Sequence, residues 1–394
     1  MVRVIQKEFV IKYQVEIITF LIFLVYLIIL RIFIPISNGR LLPALSYIPL
    51  GEGEADWDYF IMMSRDIFSI FKKQIIEPFC YRPLIPLIAG LLPFSLELSY
   101  SLITFLSIYL TGIMLYFTLR LKFSKELCII GLAMFCFLSY LPSNWIITEY
   151  SFFHVELFMI YLVDVESWLI VICCFYCILT SNKKGFAFLL IIGVLIKEVV
   201  LFTVPVFFIY ELLEDERYKR KKHKFYSLLR NIQYIIPGIL AYFIIRLMVV
   251  PDPISNHPAW YIRVYEGNDY GSLGMILVFL ERRIEQIVND PSKILFWTIG
   301  VWSAPLLILC CFNTKGDLLY WIKLYGVFMI LVYLQLLWGG AEGKYIDSGF
   351  FPMILLGISG LNRIINIEIV EPNMNYDLIK SSITSPVFDD SKAN

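Results

Sequence analysis

The chain has 394 residues, 59% of them apolar and only 17% charged, against about 25% charged in an ordinary soluble domain, and its mean hydropathy is +0.74. That balance excludes an ordinary soluble globular domain. Lys plus Arg total 33 and Asp plus Glu total 33, so no net charge argues for nucleic acid or another polyanion as partner.

The apolar residues come in runs of roughly 20, the length a helix rising about 1.5 Å per residue needs to cross about 30 Å of hydrocarbon. The expected fold is therefore an all-α, polytopic helical membrane protein. It would form a single transmembrane domain over residues 1–366, followed by a polar cytoplasmic tail over 367–394. The basic start (Arg3, Lys7, Lys12) precedes an apolar run over about 16–36 with no small-residue cleavage site after it, which reads as a retained first span rather than a signal peptide.

A long loop over about 37–96 follows. It opens with the acidic run GEGEADWDYF, continues through a predicted helix over IMMSRDIFSIF, and reaches EPFCYRPLIPLIAGLLP. The apolar part of the last stretch, Leu84 to Leu92, is too short to span and should lie along or dip into the interface. Asp56 and Asp58 are the candidate catalytic groups, because a carboxylate just outside the first span is placed to take a proton from an attacking hydroxyl. Solvation of an exposed acidic loop is the plain alternative, and a divalent cation held by the paired carboxylates is a third reading. Arg82, between a Tyr and a Pro at the start of the short apolar segment, can present a planar fork to a phosphate or simply anchor the interface.

Further spans are expected at about 97–119, 126–142 and 158–180. Around the outer end of the last lie Glu149, His154, Glu156, Asp164 and Glu166. A metal set drawn from them has no recognised ligand spacing, whereas acids such as Asp164 and Glu166 inside a span should face a watery cavity. Cys174 and Cys177 have half the spacing of a zinc site but no second pair, and read as core packing.

The run over 185–212 is too long for one span and is interrupted by Lys197 and Glu198. It lies between Lys183 and Lys184 on one side and Arg217, Lys219, Arg220, Lys221, Lys222, Lys224 and Arg230 on the other; two basic loops on the cytoplasmic side require an even number of crossings between them. A hairpin of short helices over about 186–196 and 199–212 satisfies this and turns Lys197 and Glu198 outward, either to neutralise each other or to line a functional cavity. Spans at about 232–250, 293–312, 318–338 and 350–366 complete ten membrane segments, with outer loops at about 251–292 and 339–349. Under this arrangement 18 cations fall in cytoplasmic segments against 9 in outer loops. Lys344, in GGAEGKYIDSGFFP, is either a phosphate contact or a positive residue at a helix start.

Several stretches together resemble the type C superfamily of integral-membrane glycosyltransferases, which use polyprenyl-phosphate-linked sugars. They are Asp56 followed by Phe60 and SRD, then PFCYRPLIPLIAGLL, Asp164 opening an apolar span, GVLIKEVVLFTVPVFF, and GKYIDSGFFPMILL. The resemblance implies an acidic catalytic residue in the first outer loop at Asp56, a basic residue near the active site on a bent helix pair at Lys197, and a basic residue before the last span at Lys344. Phe60 and Lys344 stand where Tyr and Arg are common in that superfamily. The expected activity is transfer of a sugar from a polyprenyl-phosphate-linked donor to an extracytoplasmic lipid, glycan or protein acceptor, with Arg82, Asp164, Lys197, Glu198 and Lys344 as substrate-binding candidates. The expected location is a multi-pass position in the plasma membrane with the active site outside. The alternative is a flippase or transporter of a lipid-linked saccharide or another small molecule, with the same charges lining its path.

Overall fold

A computed structural model of the chain describes residues 14–28, 55–72, 81–140, 164–217, 230–249, 284–285, 288–289, 312–313, 315–339 and 349–364. Among these the fold is all-α, with no strand. In chain order the α-helices are α1 (Gln14–Ile28), α2 (Ala55–Arg65), α3 (Leu84–Leu91), α4 (Leu96–Arg120), α5 (Lys125–Tyr140) and α6 (Asp164–Leu179). They continue as α7 (Lys183–Val194), α8 (Thr203–Arg217), α9 (Ile236–Met248), α10 (Lys315–Gly339) and α11 (Phe350–Ile364). Short 3-10 helices follow α2 (Ile67–Phe71) and α7 (Glu198–Phe202).

The longest contact runs between α4 and α6, and α7 and α8 pack on α6 from the other side. α4 is 25 residues of mostly apolar side chains begun by Ser95, whose hydroxyl accepts from Leu98 N. Two of its hydroxyls are turned back onto their own helix: Thr111 donates to Ser107 O and Thr118 to Met114 O, both at 2.6 Å. Where α6, α10 and α11 meet, the Phe175 ring lies 5.0–5.1 Å from Tyr325, Phe328 and Phe351, an aromatic centre for the bundle.

The helix ends sort into two groups. At one end, Lys125 at the start of α5 pairs with Glu16 at the start of α1 at 2.8 Å, and Arg120 at the end of α4 donates to Phe123 O. The α6–α7 turn lies at this end, closed by Ser181 in the left-handed region (φ 55°), with Asn182 N bonded to Cys177 O and Ser181 N to Ile178 O. Asn182 then caps α7 by accepting from Gly185 N. Lys183 at the start of α7 donates to Glu211 on α8 and to Asn231 ahead of α9. Lys122, Lys184 and Arg230 occupy the same turns, and we refer to it as the basic end.

The opposite end gathers the start of α4, the starts of α6 and α11 through the Trp168–Phe350 ring contact, and the break between α7 and α8. α7 and α8 thus form a hairpin, pinned one turn from its basic end by the stacked rings of Phe186 and Phe207 at 4.7 Å. The sequence reading placed the first helix over 186–196; the structure starts it three residues earlier and ends it at Val194, with a 3-10 turn inserted before α8.

A second difference lies in the loop after α1. The predicted helix over IMMSRDIFSIF is interrupted at Asp66, which adopts extended backbone (φ −146°) and accepts from Phe68 N to start a separate 3-10 turn. An Asp at a helix boundary competes in this way for backbone donors.

α4 from Leu98 to Arg120 is the one helix among the described residues long and apolar enough by itself to cross a membrane, and α1, α6, α9, α10 and α11 contribute shorter apolar stretches. The flanks of these helices are apolar as well as their interior faces. Ile22 on α1, Leu106 and Leu110 on α4, Phe243 and Leu247 on α9, and Ile322 and Ile330 on α10 are all exposed, Leu247 to 83%.

Candidate functional site

The break between α7 and α8 is fixed by backbone bonds before any charge is considered. Lys197 N donates to Gly193 O at 2.8 Å, folding the chain back after the last turn of α7. Gly193 permits this, since a Cβ there would stand 2.5 Å from a methyl of Val200. Lys197 takes an extended conformation (φ −161°) and Glu198 opens the 3-10 turn that leads into α8. The start of α3 is fastened to the same spot, with Leu84 N donating to Leu195 O at 3.2 Å.

Arg82 precedes α3 by two residues and so arrives at the break. Its Nη2 donates to Glu198 Oε1 at 2.8 Å and its Nε to Oε2 at 3.3 Å, a side-on fork on the carboxylate. Of the two readings of Lys197 and Glu198, mutual neutralisation or a lined cavity, the structure adds a partner to the first: Glu198 is also forked by Arg82, 116 residues away in sequence. Lys197 is 9% exposed beside it. The sequence reading missed Arg246 on α9. Its Cζ lies 4.2 Å from the ring centroid of Tyr81, the neighbour of Arg82, and 4.5 Å from that of Tyr242, a cation held between two aromatic faces. Its Nε is buried with no hydrogen-bond partner. The signal that could have found it is the one applied to Lys197, a cation inside an apolar stretch.

α2 lies against α3 closely enough that a Cβ on Gly90 would come within 2.1 Å of Ser64 O. Tyr100 on α4 fastens α2 from the other side, its hydroxyl 2.7 Å from Ser64 Oγ and donating to Phe60 O at 3.2 Å. Asp56 and Asp58 stand in the first turn of this anchored helix, while the placement of their side chains lies outside the described residues. Just beyond α2, the Lys72 ammonium hydrogen-bonded to Asp66 holds that carboxyl below the ordinary carboxylate range.

Asp164 is the first residue of α6, its side chain also outside the described residues, and Lys344, Glu149, His154 and Glu156 fall outside them entirely. Glu166 is described: it sits between α4 and α6, 3% exposed, where Thr104 donates to its Oε1 at 3.1 Å and its Oε2 has no partner. The structure therefore buries Glu166 in the helix contact rather than turning it to an open cavity. Among the described residues no group of three or more His, Cys, Asp or Glu is placed to hold a metal ion, and Cys174 and Cys177 are free and buried.

The structure thus brings Arg82, Lys197 and Glu198 together, adds Tyr81 and Arg246, and leaves Glu166 apart. Chemically, the assembly is a set of cations around one carboxylate, suited to an anionic ligand. Compared with protein-family models, curated proteins and solved structures, the chain matches none.

Proposed function

We propose that this protein is an integral-membrane glycosyltransferase that takes a sugar from a polyprenyl-phosphate-linked donor at its extracytoplasmic face. The observation that carries the reading is the meeting of Arg82 from the first long loop with Glu198 and Lys197 at a helix break, at the end of the bundle away from the basic turns. Cationic turns favour the cytoplasmic side, which supports an outward-facing Arg82 cluster. The apolar flanks of α1, α4, α9 and α10 support a polytopic membrane position, since a monomeric soluble protein rarely leaves so much contiguous apolar surface to water. The shorter helices fit a locally thinned layer, and α3, too short to span, fits the interface.

In the proposed reaction the acceptor hydroxyl attacks the anomeric carbon, a C–O bond to the acceptor forms, and the bond to the lipid phosphate oxygen breaks with inversion. Asp56, with Asp58 as alternative or as partner in holding a divalent cation, takes the hydroxyl proton. Arg82, Lys197 and Lys344 stabilise the departing phosphate, which as a good leaving group needs no general acid. Asp164 would contribute to sugar binding at the start of α6.

A flippase of lipid-linked saccharides is the second reading, favoured by the buried Glu166 in the α4–α6 contact, since intramembrane carboxylates often mark a transport path. Reconstitution with radiolabelled polyprenyl-phosphate sugars separates the two. Covalent label in an added acceptor supports the transferase. Movement of the label across the bilayer without transfer supports the flippase.

A further inference from the structure

The geometry points to Glu198 as a built-in stand-in for a ligand's phosphate: it occupies the guanidinium fork of Arg82 in the empty protein, and an incoming phosphate-bearing ligand displaces it to bind Arg82 and Arg246. The inference rests on the site proposed above and adds both a binding residue, Arg246, and the way in which the site is kept charge-balanced until it is filled.

Three features distinguish this pair from a purely structural ion pair. The first is its fork. Arg82 engages Glu198 side-on through Nε and Nη2, a planar two-point arrangement that a phosphate accepts as well as a carboxylate does.

The second is unequal anchoring. Arg82 is 12% exposed, joined to buried Tyr81 on one side and to Pro83 and α3 on the other, and α3 is bonded to α7 through Leu84 N. Glu198 is 31% exposed and opens a five-residue 3-10 turn. Short 3-10 segments have poor hydrogen-bond geometry and commonly mark places where a chain can shift. Of the two partners, the carboxylate is the one built to move.

The third is the neighbouring orphan. Arg246 is clamped between Tyr81 and Tyr242 with a buried Nε that has no acceptor. Leaving a buried donor unmade is costly, and a guanidinium donor more so. Glu198 already has both oxygens on Arg82, whereas a phosphate monoester, such as the polyprenyl monophosphate released from the donor, brings three non-bridging oxygens against the carboxylate's two. Because the shared chemistry is the phosphate group, free and membrane-borne phosphates are both candidate sources.

The test is equilibrium binding to the full chain in lipid nanodiscs, with inorganic pyrophosphate as the soluble probe and a polyprenyl monophosphate in the disc as the membrane-borne one. Removing the competing carboxylate in Glu198→Gln should tighten binding of at least one probe roughly 5- to 100-fold, the usual range of coupling between competing interactions. Arg246→Gln in that background should lose the gain. Tightening with both probes assigns the site to the phosphate group itself, and tightening with the lipid alone assigns it to the membrane source.

Equal or weaker binding by folded Glu198→Gln overturns the inference, as does absence of binding of both probes. Should Glu198→Gln fail to fold, hydrogen exchange of the wild-type protein decides. Bound probe should speed exchange of the amides over residues 198–202, released with their carboxylate, and unchanged or slower exchange contradicts displacement. Neither readout needs sugar transfer. Tighter binding without transferase activity would therefore overturn the proposed function alone, and transferase activity without tightening would overturn this inference alone.

Discussion

The α7–α8 hairpin carries a charged cluster at each end, and the two are built differently. At the basic end Lys183 donates to Glu211 and to Asn231, and Asn231 returns a bond to Glu211, so that three side chains close a ring joining α7, α8 and the entry to α9. Asn231 is 1% exposed, and the helices run into the cluster without interruption. At the other end the helix is broken, the pair recruits Arg82 from a distant loop, and Arg246 stands nearby with an unmet donor. A closed ring of satisfied partners is what stability requires of buried charge. An open set with more donors than acceptors is what a binding site requires. The basic end is built as structure requires and the other as the proposed binding role would require, and the contrast can be broken at either.

The largest effect is expected at the chemical end. Asp56→Asn should lower sugar transfer roughly 10²- to 10⁴-fold with donor binding little changed, as for loss of a general base. Turnover and donor affinity measured in parallel would show it. A similar loss in Asp58→Asn would indicate a coupled or cation-binding pair.

Next comes the structural end. Lys183→Met strands Glu211 against Asn231 and should cost about 3 kcal/mol, near the low end for breaking a buried pair because both side chains keep some exposure. Denaturant titration of the folded helices would measure it, and donor affinity in the surviving folded protein should stay unchanged. A loss of affinity there would dissolve the distinction between the ends.

A smaller change is expected from Arg82→Lys, which keeps charge but loses the fork. Donor affinity should fall about tenfold, roughly 1.4 kcal/mol, while Arg40→Lys in the same loop leaves it unaltered. Equal affinity in both variants would reduce Arg82 to an anchor for α3.

The smallest effect sharpens the account of the basic end. Ser181 holds a left-handed conformation that costs an L-residue about 1 kcal/mol relative to glycine. Ser181→Gly should therefore stabilise the protein by about that amount, visible as a higher midpoint in the same titration, without altering donor binding.

What could be read from sequence divides along the same line. The position of the hairpin break was legible because Lys197 and Glu198 interrupt an apolar run, and the parity of the flanking basic loops required a turn there. The partner of Glu198 was not legible, because a contact spanning 116 residues leaves no local spacing to read. Adjacency suggested Lys197, which does lie beside Glu198, but the two-point fork on the carboxylate comes from Arg82. Arg246 was passed over as one cation in an otherwise ordinary apolar stretch. Only the rings of Tyr81 and Tyr242 around it reveal its place. The early end of α2 was in principle readable, since Asp66 is a common boundary residue, but the apolar pattern of IMMSRDIFSIF continued across it.

The most direct test of the two-ended account is sidedness. Lys72, after α2, and Lys184, at the α6–α7 turn, are both exposed, and α2 is tied through Tyr100 to the start of α4, at the end opposite the α6–α7 turn. Each is replaced by Cys in a protein whose eight native cysteines have been substituted, then treated in intact cells with a membrane-impermeant maleimide. The account predicts that position 72 reacts from outside and that position 184 reacts only after the membrane is opened. Labelling of position 184 from outside, or of both positions from the same side, would contradict it.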